Sequence, residues 1–159
     1  MIVVKHPLIV KSIAWPDEAA TQSFAQACAD RTAIKHAVIE LHGDLGAGKT
    51  TFARYLLTAL GVEGRIKSPT YTVVETYTLA DGASISHFDF YRFNDPLEWE
   101  EAGFRDLFAS PGLKLIEWPE KAGEYLPPCD LKLVITMQPD ETRLVNASAF
   151  SPLGAELLE

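Results

Sequence analysis

The eight residues Gly43-Asp44-Leu45-Gly46-Ala47-Gly48-Lys49-Thr50 restrict this chain to very few folds. They fit the phosphate-binding pattern Gly-x-x-x-x-Gly-Lys-Thr without a gap. The flanks fit as well. Ala37 to His42 reads as a short buried strand, and Thr51 to Leu60 reads as a helix with Phe52, Leu56, Leu57 and Leu60 on one face. A strand, a glycine-rich turn and a helix start are what a nucleoside triphosphate needs. Glycines let successive backbone N–H groups point inward, and these add to the positive end of the helix dipole. In such a loop Lys49 reaches the outer phosphates as a point charge, and the Thr50 hydroxyl ligates Mg²⁺. The plain alternative is a glycine-rich turn that holds no ligand.

At 159 residues the chain is expected to form one domain, 1–159, able to bury about 70% of its unfolded surface. Its 47% apolar and 23% charged residues are those of a globular protein. No stretch approaches the roughly 18 apolar residues of a membrane span, and Met1 to Val10 lacks the apolar core and cleavage site of a signal peptide. A cytoplasmic protein with no membrane attachment is therefore expected. Cys28 and Cys129 are far apart and lack Cys-x-x-Cys spacing, which argues against zinc or redox chemistry. Cys28 falls on an apolar helix face and is expected in the core. A net charge of −8 repels nucleic acid phosphates, so autonomous binding of tRNA or DNA is not expected.

Along the chain, Leu8 to Ile13 predicts a first strand at an edge. Pro16-Asp17-Glu18 predicts a helix start, and that helix runs to about Ala29 with Ala20, Phe24, Ala25 and Cys28 inward. Gly61 stops the phosphate-loop helix. A loop from Gly61 to Tyr71 leads into a strand at Val73 to Thr78. Asp81-Gly82 signals a hairpin, and Ser84 to Tyr91 returns. Ile85, His87, Asp89 and Tyr91 share one face of that strand, opposite Phe88 and Phe90. Short helices are expected from Asn94 to Ala102 and from Gly103 to Ala109. Leu113 to Glu117 is a strand ended by Trp118-Pro119. Leu131 to Met137 and Arg143 to Phe150 form a last antiparallel pair around Pro139-Asp140, and Ser151 to Glu159 is expected to be peripheral.

Hydrolysis or transfer of a phosphoryl group needs a second carboxylate on the metal side and a group that positions the attacking atom. Glu117, at the carboxyl end of an apolar strand, can reach Mg²⁺ directly or through water; otherwise it is a solvated strand-end carboxylate. Asp89 can orient the attacking water; otherwise it forms a structural pair with Arg92 or His87. With Lys49 these two are the catalytic candidates. Ser68-Pro69-Thr70-Tyr71 lies where phosphate-loop enzymes sense the terminal phosphate, or is an ordinary turn. Trp118 is more often a packing residue than a base stacker.

Four segments together resemble the TsaE (YjeE) family, the ATPase component of bacterial tRNA threonylcarbamoyladenosine synthesis. They are Gly43 to Phe52, Lys67 to Glu75, His87-Phe88-Asp89-Phe90-Tyr91-Arg92 and Ile116-Glu117-Trp118-Pro119-Glu120, with Leu126-Pro127 following. The resemblance spans about Pro16 to Val145. It implies a P-loop NTPase fold, three-layer α/β/α, with a mixed, partly antiparallel central sheet. It implies that Asp44, Leu45, Gly46, Ala47, Gly48, Lys49, Thr50 and Thr51 hold the phosphates of ATP, and that Thr50 and Glu117 hold Mg²⁺. Ser68, Pro69, Thr70 and Tyr71 then act as a switch, Asp89 and Trp118 support hydrolysis, and Asp17 lies near the adenine. The implied partners are TsaB and TsaD, the latter transferring the threonylcarbamoyl group to the tRNA adenosine beside the anticodon. ATP hydrolysis would reset that assembly, and tRNA would be met only through it. A small-molecule kinase remains the second reading, although Arg31, Arg54, Arg65, Arg92, Arg105 and Arg143 form no lid-like cluster. A non-catalytic nucleotide switch is the third; the guanine-reading Asn-Lys-x-Asp is absent.

Overall fold

A computed structural model describes residues 6–159, so part of the Met1 to Val10 segment read above lies outside the described residues. The apolar runs at Val38–His42 (β2) and Leu113–Glu117 (β5) are short, and β5 is buried throughout. Strands covered on both faces read as continuous apolar runs and suit a parallel sheet. These two pair in parallel, β6 (Leu131–Met137) joins β2 in parallel, and β4 (Ser84–Asp89) joins β5 in parallel. The edges are antiparallel: β3 (Val74–Thr78) runs against β4, β7 (Arg143–Ala149) against β6, and β1 (Ile9–Trp15) against β7. Among the described residues the seven strands run in the order β1-β7-β6-β2-β5-β4-β3. The mixed sheet, its antiparallel hairpin and the edge position of the first strand all match the sequence reading.

Helices cover both faces. On one, α1 (Glu18–Ala29), α2 (Lys49–Ala59) and α5 (Pro152–Leu157) close a core containing Trp15, Cys28, Ile39, Leu41, Phe52, Leu56, Leu115, Leu133 and Leu157. On the other, α3 (Leu97–Glu101) and α4 (Phe104–Ala109) pack an aromatic cluster of Phe88, Phe90, Phe93, Trp99, Phe104 and Phe108. Phe88 and Phe108 stack with centroids 4.6 Å apart. This is the three-layer α/β/α P-loop NTPase architecture. No described helix is long and apolar enough to cross a membrane.

Several boundaries differ from the sequence reading. The phosphate-loop helix begins at Lys49, two residues earlier than expected, because Gly48 takes the left-handed conformation at its N-cap. β4 stops at Asp89, so Tyr91 lies in the turn beyond it and not on the strand. The tail is not peripheral. Ser151 caps α5 through its Oγ, Pro152 opens it, and Leu157 and Leu158 are buried in the larger core. Gly154 is required there: a Cβ at that position would stand 1.8 Å from the Asp130 carbonyl oxygen.

Candidate nucleotide and metal site

In open α/β sheets, ligands bind outside the carboxyl ends of parallel strands. Here those ends deliver three segments to one edge. β2 runs into the glycine loop, β5 ends at Glu117, and β4 ends at Asp89 beside it, with Asp89 and Glu117 directly paired in register. Gly43, Gly46 and Gly48 all have positive φ. Gly43 also sits where a Cβ would be 2.5 Å from the Ile135 carbonyl oxygen, so a side chain would push the loop off β6.

Lys49 opens α2 and is buried. Its Nζ donates to the carbonyls of Gly43 and Asp44 and lies 3.8 Å from the centre of the Trp118 ring. Burial lowers its pKa, opposed by the carboxylates of Glu117, Glu120, Asp89 and Asp44. Thr50 Oγ1 donates to Glu117 Oε1 at 2.8 Å, and the other oxygen, Oε2, lies 2.7 Å from His87 Nε2. Asp89 takes the Tyr91 N–H on Oδ1 at 2.9 Å and the Thr70 hydroxyl on Oδ2 at 3.3 Å. Burial raises the Asp89 carboxyl above its ordinary value; the Tyr91 N–H opposes the rise and neighbouring Glu117 adds to it.

Lys49, Thr50, Thr70, Asp89, Glu117 and Trp118 thus line one cleft of about 260 Å³ over the loop, with Leu45 to Gly48 as its floor. The structural pairs considered for Asp89 do not form. His87 binds Glu117, and the Arg92 guanidinium lies over the Tyr71 ring at 4.3 Å. Tyr71 is 81% exposed and does not line the cleft. Ser68 reaches it only through its 2.8 Å hydrogen bond to Thr70. Pro69 supplies a carbonyl to the Val73 N–H. Trp118 has φ 57, a left-handed backbone that turns its ring over Lys49. Asp17 lies outside this cleft. Its Oδ1 caps α1 by accepting from the Ala20 N–H at 2.9 Å, and it lines an adjoining pocket of about 230 Å³ with Trp15, Thr21, Thr51 and Arg143.

Two participants escaped the sequence reading. His87 was placed on the right face but with the wrong partner. Arg143 of β7 donates from Nε to the Ala47 carbonyl at 2.7 Å, pinning the loop from 96 residues away; nothing local in the sequence marks it.

The donor set fits a magnesium ion. A hydroxyl and a carboxylate are hard oxygen donors, and Mg²⁺ beside phosphates takes one or two protein ligands and keeps several waters. Among the described residues no group of three or more His, Cys, Asp or Glu is arranged for a metal.

Residues 15–145 match the family described as threonylcarbamoyl adenosine biosynthesis protein TsaE. The chain belongs to the TsaE family. A tRNA threonylcarbamoyladenosine biosynthesis protein TsaE from Haemophilus influenzae is 41% identical over 147 residues, covering 90% of this chain and 92% of that one. The Bacillus subtilis protein of the same name is 38% identical over 113 residues, covering 70% and 69%. In three dimensions the chain is similar to the crystal structure of Bacillus subtilis YdiB, with TM-score 0.74 and 29% identity over 94% of this chain and 93% of that one. The glycine loop, Asp89 and Glu117 lie within the matched span.

Proposed function

We propose that this TsaE protein is a Mg²⁺-dependent ATPase, one domain spanning 1–159, that acts with TsaB and TsaD in threonylcarbamoyl modification of the tRNA adenosine beside the anticodon and resets their assembly between turnovers. The observation that carries the reading is the convergence of Lys49, Thr50, Glu117 and Asp89 on one cleft over a left-handed glycine loop. Thr50 and Glu117 would hold Mg²⁺, which supplies charge neutralisation on the phosphates. The backbone N–H groups from Asp44 to Thr51 and the Lys49 ammonium bind and orient the phosphates. The adjoining pocket beside Asp17 and Trp15 is the place for the adenine.

Asp89 is suited to orienting a water in line with the terminal phosphate, since burial makes its carboxylate more basic than an exposed one. Thr70 touches Asp89, which links the loop from Ser68 to Tyr71 to the catalytic group; engagement of the terminal phosphate by Thr70 would free an oxygen of Asp89. An acidic chain has no need to hold tRNA itself if partners present it.

The test is ATP hydrolysis by the purified protein, alone and with TsaB, TsaD and tRNA. A low basal rate that rises in the assembly is expected. A rate indifferent to those partners would refute the reset role, and a phosphorylated acceptor would return the kinase reading.

A further inference from the structure

Glu117 and His87 are 2% and 1% exposed, so the carboxylate oxygens and the ring N–H of the pair have to be met inside the protein. The two oxygens of Glu117 have separate ones. Oε1 takes the Thr50 hydroxyl, and Oε2 faces His87 Nε2. An ionised carboxylate only accepts, so Nε2 carries the ring proton and donates. Nδ1 is buried with no partner, and the Nε2–H tautomer leaves no second N–H there to satisfy. The sheet register explains the geometry. His87 pairs with Leu115 and Asp89 with Glu117, so His87 lies diagonally before Glu117 on the same face. The residues directly opposite Glu117 are Asp89 on β4 and Leu41 on β2, and neither side chain carries an N–H to offer it.

We propose that His87 is a positioning residue for Glu117. Its Nε2–H holds Oε2, which makes the two carboxylate oxygens inequivalent and turns Oε1 towards Thr50 and the metal side of the nucleotide. The proposal rests on the reading of Thr50 and Glu117 as the metal-holding pair. Outer hydrogen bonds of this kind fix the ligand's orientation, so their loss weakens metal binding without touching the nucleotide's own contacts.

The experiment is calorimetric titration of the full chain with the imido analogue of ATP at a series of Mg²⁺ concentrations. His87→Leu is expected to need about 10–100-fold more Mg²⁺ for half-maximal enhancement of affinity, with affinity in the absence of Mg²⁺ unchanged. His87→Gln places an amide N–H near the Nε2 position and is expected to stay within about twofold of the parent. An unshifted His87→Leu, or a His87→Gln shifted as far as it, overturns the proposal. Should His87→Leu fail to fold, His87→Asn replaces it, because its amide is too short to reach Oε2. A tenfold shift for Asn with none for Gln supports the proposal, and equal values overturn it. Glu117→Gln separates the two failures. If it keeps the parent's response to Mg²⁺, the metal assignment itself is wrong. If it loses that response while the His87 variants do not, only the role of His87 falls.

Discussion

The buried carboxylate of Glu117 gives the sharpest expectation, because charge and hydrogen bonding can be removed separately. Glu117→Gln deletes the charge and keeps the shape. Its amide oxygen can still accept from His87 Nε2, and its NH₂ can face the Thr50 hydroxyl, which accepts as readily as it donates. Two charge-assisted hydrogen bonds weaken and the attraction to Lys49 is lost. Against this, a 2% exposed charge no longer needs to be desolvated, and the neighbouring Asp89 loses a like charge. These terms offset, so stability should stay within about 1 kcal/mol of the parent or rise. Glu117→Ala is different. It leaves the His87 N–H buried without an acceptor, at about 1–3 kcal/mol, and opens a small cavity that adds about 1 kcal/mol. A loss on the order of 3 kcal/mol corresponds to a fall in Tm of roughly 6–12 °C for a domain of this size. Both variants should lose Mg²⁺-dependent hydrolysis by about 100-fold or more, since neither supplies an anionic oxygen. The assay pairs thermal denaturation with ATP turnover. A Glu117→Gln protein that unfolds as early as Glu117→Ala, or that hydrolyses ATP normally with Mg²⁺, would refute the reasoning.

Lys49→Ala should abolish tight nucleotide binding in calorimetry, and normal affinity would contradict the phosphate-loop assignment. Asp89→Asn should slow hydrolysis by about 10²–10⁴-fold with nucleotide affinity intact. It should also stabilise the fold in a pH-dependent way. The raised folded pKa means that folding favours protonated Asp89, so the parent loses stability as pH rises through that value. The gain from Asn should therefore be present at pH 7 and shrink as pH falls towards the ordinary Asp value of 3.8, as read by denaturant unfolding at both pH values. Gly154→Ala should cost about 1–3 kcal/mol, because its methyl meets the Asp130 carbonyl; an unchanged melting temperature would show that the tail does not pack as described.

Much of the fold was legible because its signals are local. The glycine pattern, the Asp81-Gly82 turn and the short apolar runs each speak for a few consecutive residues, and all were placed correctly. The tail was misjudged although its signal was present: Ser151 followed by Pro152 is an N-cap and first-turn pair. Six residues of helix are too few to show a 3.6-residue period, so Leu157 and Leu158 did not announce a buried face. The Asp130 carboxylate, which takes the Ser151 hydroxyl at 2.6 Å, lies 21 residues away and marks nothing in the sequence.

The site divides along the same line. Residues whose places follow from one motif or element were legible: Lys49 and Thr50 close the glycine pattern, and Glu117 ends a strand. Contacts that depend on how two elements slide past each other were not. Alternation along β4 correctly put His87 and Asp89 on one face, but either could then have met Glu117 or each other. The parallel register of β4 on β5 decides this, placing Asp89 opposite Glu117 and His87 one diagonal step before it. A shift of that register by one residue would turn His87 to the aromatic face and leave Glu117 with its Thr50 contact alone. Phe88 and Phe90, locked among Phe93, Phe104 and Phe108, oppose such a shift because it would drive them to the other side of the sheet. The aromatic cluster on the far face therefore does more than fill a core: it holds the register on which the orientation of the Glu117 carboxylate depends.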